Sequence, residues 1–211
     1  MTNYHSGMPL LQSGAPLNKA TAAMIMLHGR GAGADDILGL SYELDAPGMA
    51  FLAPQAANAT WYPYRFVEPI ARNEPWLSSA LATIESVLQL ALDAGIAPER
   101  VILLGFSQGG CLALEYAARN VRRYGAVVGF SASLIENGDQ PRVYAGDFAQ
   151  TPVLLGCSDV DFHIPLARVE RTAEIFMNLG AQVDRRIYPN MGHTINRDEL
   201  HALQTWVTNL A

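Results

Sequence analysis

One serine in this sequence sits where its hydroxyl could be made reactive. Gly105-Phe106-Ser107-Gln108-Gly109-Gly110 follows the apolar run Val101 to Leu104 and precedes an alanine-rich run of helical period. G-x-S-x-G between a strand and a helix needs a turn so sharp that the serine adopts a strained backbone, and the flanking glycines remove Cβ atoms that would clash. Ser107 is then expected at the carboxyl edge of a sheet. A serine hydroxyl is a weak nucleophile near neutral pH, so a base must take its proton and a carboxylate must orient that base.

Downstream, Pro189-Asn190-Met191-Gly192-His193 follows the last apolar run and offers His193 as the base, with Gly192 giving the backbone freedom to turn it inward. His163 directly follows the acid-bearing loop, and His201 falls inside the last helical run, where a surface position is expected. For the acid, the run Pro152 to Gly156 leads into Cys157-Ser158-Asp159-Val160-Asp161, and spacing alone does not choose between Asp159 and Asp161. The order Ser, Asp, His is that of hydrolases built on an α/β sheet.

Two other chemistries compete for these residues. Asp159, Asp161 and His163 are all metal-ligand types at alternate positions of one segment, but a metal there leaves Ser107 and His193 without a role. Neither a metal nor any other cofactor is therefore expected. His28-Gly29-Arg30-Gly31-Ala32-Gly33-Ala34, after the run Ala22 to Leu27, satisfies the dinucleotide pattern G-x-G-x-x-A. That pattern needs an acid for the ribose at the end of the next strand, which here reads Leu52-Ala53-Pro54-Gln55. A non-catalytic nucleotide- or ligand-binding sheet is the alternative of another class. The same small residues would also let a backbone N–H approach a substrate carbonyl oxygen, beside the N–H of Gln108.

These residues need a sheet to hold them. Strand-length apolar runs, Ala22 to Leu27, Met49 to Ala53, Val101 to Leu104, Gly125 to Phe130, Pro152 to Gly156 and Val183 to Tyr188, alternate with helical segments. The helical segments are Asp35 to Glu43, Trp76 to Ala94, Gln108 to Asn120, Pro165 to Leu179 and Arg197 to Asn209. That alternation predicts a parallel α/β sheet with helices on both faces, Val101 to Leu104 near its middle and Val183 to Tyr188 at an edge. Gly95 and Gly180 stand where left-handed caps end helices. Two connections, Pro54 to Pro75 and Ser131 to Thr151, are too long for simple turns. Trp61, Tyr62, Tyr64 and Phe66 in the first either wall a substrate pocket or cover the core; Leu134 in the second is another pocket candidate. Neither connection resembles a flexible linker, so residues 1–211 read as one domain.

Composition limits the rest. Half of the 211 residues are hydrophobic and 16% are charged, which excludes intrinsic disorder. No apolar run approaches the ~18 residues of a membrane span. A net charge of −6, with no basic cluster beyond Arg119, Arg122 and Arg123, argues against nucleic acid; those three read as a solvated helix end. The first residues lack a secretory signal, and Cys111 and Cys157 read as buried free thiols, so a cytoplasmic location is expected.

From Met24 onward the chain resembles the phospholipase/carboxylesterase family of small serine esterases, α/β-hydrolases without a large lid that include acyl-protein thioesterases. The resemblance lies in Leu27-His28-Gly29, Ala53-Pro54-Gln55, Gly105 to Gly110, the Asp161 to Pro165 turn and Met191-Gly192-His193. It implies an α/β-hydrolase fold of six or seven mostly parallel strands, with Ser107, Asp161 and His193 as the triad. Asp161 is selected as the aspartate four residues before the loop proline, Pro165. The same matching makes the N–H groups of Arg30 and Gln108 the oxyanion donors. It also implies a small-molecule ester as substrate, with thioesters and lysophospholipids as alternatives, and allows a homodimer. Cys157-Ser158 replaces the family's frequent His-Gly. Trp61-Tyr62-Pro63 replaces a longer eukaryotic pattern and looks more like bacterial esterases, which turns the expectation away from lipidated proteins. Short to medium acyl chains are expected because 211 residues whose strands and helices are all committed to the core leave no segment for a deep lidded tunnel.

Overall fold

In the computed structural model, which describes residues 4–210, seven strands form one sheet. The expected domain 1–211 includes residues 1–3 and 211, which lie outside the described residues. The strands are β1 (Leu10–Gly14), β2 (Ala22–Leu27), β3 (Met49–Pro54), β4 (Val101–Phe106), β5 (Ala126–Phe130), β6 (Pro152–Ser158) and β7 (Gln182–Tyr188), in the order β1-β3-β2-β4-β5-β6-β7. Every pairing is parallel except β1 with β3. The six predicted strands are all present, and β4 is the central one. The seventh strand that the resemblance allows is β1, which the apolar runs do not locate, because an exposed antiparallel edge strand of five residues, LLQSG, needs no sustained apolar run.

Continuous burial explains the apolar runs. Every residue of β2 and β3 is buried, since helices cover both faces. Ala23, Ile25 and Leu27 of β2 face one side, together with α3 (Trp76–Asp93), α4 (Gln108–Arg119) and α5 (Leu166–Asn178). Met24 and Met26 face the other, where α1 (Ala34–Leu38) and α6 (Arg197–Leu210) pack. The period-two split of one strand between two cores is the direct consequence of strand geometry. A short α2 (Ile70–Asn73) lies inside the Pro54 to Pro75 connection. The predicted helix Asp35 to Glu43 is broken instead: α1 stops at Leu38 and continues as 3-10 turns over Gly39–Glu43. Gly95 and Gly180 do carry the left-handed backbone, with φ of 89° and 78°.

The Ser131 to Thr151 connection is anchored by charge. Glu115, on α4, is fully buried and accepts from Arg119 at 2.6 Å, from Arg142 at 2.5 Å and from the Tyr144 hydroxyl at 2.8 Å. Arg142 also donates to the carbonyl of Ile135 at 3.0 Å. Arg119 is therefore a partner of a buried carboxylate and not part of a free solvated helix end. Burying Glu115 is tolerable only because its oxygens are met by hydrogen-bonded charge. Arg142→Met is expected to lower unfolding stability by about 3 kcal/mol, because it strips a buried carboxylate of a partner. Urea unfolding at pH 7 checks this; a midpoint equal to that of the parent protein contradicts it.

Candidate active site

Helix α4 begins against the ends of two strands. A Cβ placed on Gly109 would lie 2.2 Å from the carbonyl oxygen of Leu27, and one on Gly105 would lie 2.3 Å from the Gly109 carbonyl. Only glycine fits at either position. Between them Ser107 takes φ 53° and ψ −120°, the strained turn that G-x-S-x-G predicts. Its N–H donates to Phe130 at 2.9 Å, which fastens the elbow to β5.

Three of the expected side chains meet there. Ser107 Oγ lies 2.8 Å from His193 Nε2, and His193 Nδ1 lies 2.7 Å from Asp161 Oδ2. Burial alone would raise the Asp161 carboxyl. The hydrogen bonds from His193 and from the N–H groups of Ile164 and His163, at 3.0 and 2.8 Å, outweigh it and hold the group below its usual range. An ionised carboxylate can only accept, so His193 Nδ1 carries a proton; in the neutral ring Nε2 is then the acceptor for the Ser107 hydroxyl. The rings of Phe106 and His163 flank His193 with centroids 5.0 and 4.7 Å away.

Asp159 does something different: it accepts the N–H of Asn190 at 2.8 Å and so ties the acid loop to the histidine loop. Asp159, Asp161 and His163 do not converge; among the described residues no group of three such side chains is placed to hold a metal ion. The backbone freedom expected of Gly192 falls at Asn190, whose φ is 54°. His201 is exposed on α6.

The glycine loop after β2 faces Ser107. The N–H groups of Arg30 and Gln108 have no acceptor among the described residues, and both residues line the cavity over Ser107. A buried polar network that sequence reasoning missed holds this loop. Ala56 N–H donates to His28 Nε2 at 3.1 Å, so Nδ1 carries the proton and donates to Gly29 at 2.8 Å. Burial lowers the His28 pKa and keeps the ring neutral. Trp61 Nε1 donates to the His28 carbonyl at 2.9 Å, while the Gln108 amide accepts from the Trp61 N–H at 3.0 Å and donates to Tyr62 at 2.7 Å. His5, 3% exposed, bonds the Trp61 carbonyl from the other side. A histidine directly after a fully apolar strand was the available signal: such a position is buried, and a buried ring needs partners.

The cavity has a volume of about 290 Å3, with Tyr62, Phe66, Phe106, Cys111 and Ile164 as its apolar wall. Two of the pocket expectations need correction. Trp61 is fully buried beneath the glycine loop and does not line the cavity, because its indole N–H is committed to His28. Leu134 lines a separate cavity of about 200 Å3 between the 131–151 connection and α5. Cys111 does reach the Ser107 cavity, and burial pushes its thiol up to about 12.

Residues 12–211 match the model of the family described as Phospholipase/Carboxylesterase. The chain belongs to that family. A crystal structure of a phospholipase/carboxylesterase from Dyadobacter fermentans superposes with a TM-score of 0.92 at 40% identity, covering 99% of both chains. The Arabidopsis thaliana protein SOBER1 shares the α/β-hydrolase fold, with a TM-score of 0.72 at 17% identity over 90% of this chain and 98% of that one. Acyl-protein thioesterase 1 of Gibberella zeae is 30% identical over 145 residues, 67% of this chain. The match spans 62% of that protein's own length. Membership replaces the dinucleotide reading of the glycine loop, and like the family the chain has no large lid among its described residues.

Behind the histidine loop, Asn196 and Glu199 cap α6 reciprocally: Glu199 accepts the Asn196 N–H at 2.7 Å and Asn196 accepts the Glu199 N–H at 2.9 Å. Glu199 is fully buried, its other oxygen has no partner among the described residues, and burial raises its pKa to about 7. In the unfolded chain the same group ionises near 4.5. Between those values the folded state binds more protons, so Glu199 erodes stability as pH rises from about 4.5 to about 7, and the loss then levels off. Glu199→Gln keeps the cap without the charge. The variant is expected to gain stability relative to the parent between pH 5 and pH 8, on the order of 2 kcal/mol, by urea unfolding at both values. An identical difference at the two pH values contradicts this.

Proposed function

We propose that this protein is a serine carboxylesterase that cleaves carboxylic esters of short to medium acyl chain through an acyl-enzyme. The observation that carries the reading is the continuous hydrogen-bonded chain from Ser107 through His193 to Asp161, beside two unused N–H groups at one sheet edge. Ser107 Oγ attacks the ester carbonyl carbon while His193 Nε2 takes its proton. The N–H groups of Arg30 and Gln108 receive the negative charge that develops on the carbonyl oxygen. Collapse of the tetrahedral intermediate breaks the bond to the alcohol, which leaves with the proton from His193. Water, deprotonated by the same nitrogen, then releases the acid and restores Ser107. Asp161 holds the imidazolium throughout.

The cavity supports the chain-length part of this reading. At about 290 Å3 it lies just below the ~300–1,000 Å3 typical of small-molecule sites. Each acyl methylene that finds apolar wall adds about 0.8 kcal/mol, and the gain stops where the groove ends. A thioester passes through the same oxyanion, and the acyl-protein thioesterase of Gibberella zeae among the relatives supports thioester cleavage as the second reading. We assign the protein to the cytoplasm, a reducing compartment that suits two buried free thiols.

Ser107→Ala is expected to lower ester kcat/KM about a thousandfold or more while leaving the unfolding transition in place, and to abolish labelling by a fluorophosphonate probe. A folded variant with over about a tenth of parental activity contradicts the assignment. Across p-nitrophenyl esters assayed below their micelle thresholds, kcat/KM is expected to climb from acetyl to roughly butyryl or hexanoyl and then flatten. A steady rise to palmitoyl would move the reading to a lipid thioesterase or lysophospholipase.

A further inference from the structure

The walls of the Ser107 cavity are charged in one sense only. Arg30 and Arg65 both line it, His163 stands beside them, and the lining contains no aspartate or glutamate. That is the reverse of the molecule as a whole, whose net charge is −6. The Arg30 guanidinium is fixed by the carbonyls of Pro63 and Tyr64 at 2.9 and 2.8 Å. Carbonyls orient a guanidinium without neutralising it. Arg65 is exposed, and its side chain takes no carboxylate partner among the described residues.

Of the acids on adjoining segments, Asp35 is exposed beside Gly33, and three others are engaged elsewhere. Glu68 pairs with Arg72 at 2.8 Å, Asp36 accepts the Gly33 N–H at 2.6 Å, and Asp161 is turned to His193. Two arginines left uncompensated at the mouth of a reaction cavity need an explanation that solvation of an ordinary surface does not supply. Position sharpens the point: the Arg30 N–H is one of the two oxyanion donors, so its guanidinium stands no farther from the substrate carbonyl than one arginine side chain reaches. An anionic group a few bonds from the scissile ester would lie in the cavity that Arg30 and Arg65 both line, and a guanidinium's fork geometry suits carboxylate and phosphate oxygens. The protein's overall negative charge, spread beyond a Debye length of ~8 Å at physiological salt, is screened from such a group, whereas charges in the cavity wall are not.

We propose that the Ser107 cavity selects esters that carry a second, anionic oxygen group, held by the guanidinium of Arg65 beside that of Arg30. The inference rests on the esterase reading above and names its substrate class. The group could be a carboxylate on the acyl side, as in a half-ester of a dicarboxylic acid, or a phosphate on the alcohol side. Uniform binding of this kind acts through KM more than kcat.

The test compares charged and neutral partners with the same scissile ester: monomethyl against dimethyl glutarate for the acyl side, and the butyryl ester of glycerol 3-phosphate against monobutyrin for the alcohol side. In at least one pair, kcat/KM is expected to favour the anionic ester about tenfold or more at low salt. That ratio should fall about tenfold in Arg65→Gln, chiefly through KM, survive in Arg65→Lys, and shrink in 0.5 M NaCl. The pair that responds identifies the side that carries the charge. If the parent cleaves the neutral esters as well as or better than the anionic ones in both pairs, or if Arg65→Gln keeps the ratio, the inference is overturned and the esterase reading stands. If the parent cleaves neither these nor p-nitrophenyl butyrate, both fall.

Discussion

Everything at the candidate site follows from how closely helix α4 approaches the ends of β2 and β4. Backbone meets backbone there, with the Cβ positions of Gly105 and Gly109 already occupied by carbonyl groups. A helix that starts this near a strand cannot be joined to it by a relaxed connection, so the strain collects on the one residue between, Ser107, at φ 53°. The same approach leaves the first N–H of α4, that of Gln108, outside the helical ladder at the edge of the Ser107 cavity, because a helix start has no internal acceptor for it. One packing constraint thus exposes the hydroxyl and supplies a donor beside it.

The remaining parts are brought to that point by loops, and loops must be made rigid by other means. Around the glycine loop the means are neutral: His28, Gln55, Trp61 and Gln108 exchange hydrogen bonds in a region of almost complete burial, where an unmade bond is expensive. Around the 131–151 connection the means are ionic, through Glu115 and its arginine partners. The acid and histidine loops are fastened to each other, by the Asn190 N–H on Asp159 and the Asp159 N–H on the Tyr188 carbonyl at 3.2 Å. These bonds hold the acid, the histidine and the glycine loop at hydrogen-bonding distances in the site before any ligand is bound.

What the sequence disclosed depends on the kind of signal each element leaves. The five inner strands were legible because burial on two faces demands unbroken apolar runs, and the edge strand β7 was legible from Val183 and Ile187 among its charged residues; β1, exposed at the other edge, offers less. Ser107 was legible because steric exclusion at its neighbours writes glycine into fixed positions. Asp161 and Asp159 were indistinguishable by spacing, since the choice depends on which way two adjacent loops turn, and family resemblance had to select between them. Trp61 misled for a physical reason: an aromatic residue in a long loop can face solvent, substrate or core with the same local sequence, and only the acceptor waiting at His28 decides for the core. The side-chain role of Gln108 was hidden behind its backbone role, because the motif specifies a position after the serine and not what its amide will bond.

Asp161 and Glu199 show why burial by itself does not predict ionisation. Both carboxyl groups are nearly or wholly shielded from solvent on either side of the histidine loop, and in both burial favours the neutral acid. Their pKa values nevertheless move in opposite directions. Asp161 sits where the chain turns back on itself before Pro165, so the N–H groups of His163 and Ile164 converge on one oxygen while His193 takes the other. Glu199 lies inside the first turn of a helix, where Asn196 supplies a single N–H and the second oxygen faces the Cα of Gly156 with no donor. Cys157, four residues before Asp161, has its sulfur 3.8 Å from that carboxylate, and its thiol, pushed up to about 12 by burial and by the Asp161 charge, adds no competing charge. The supply of donors therefore drives the two acids apart, lowering Asp161 while Glu199 rises to about 7, and it leaves the more readily ionised carboxylate hydrogen-bonded to His193.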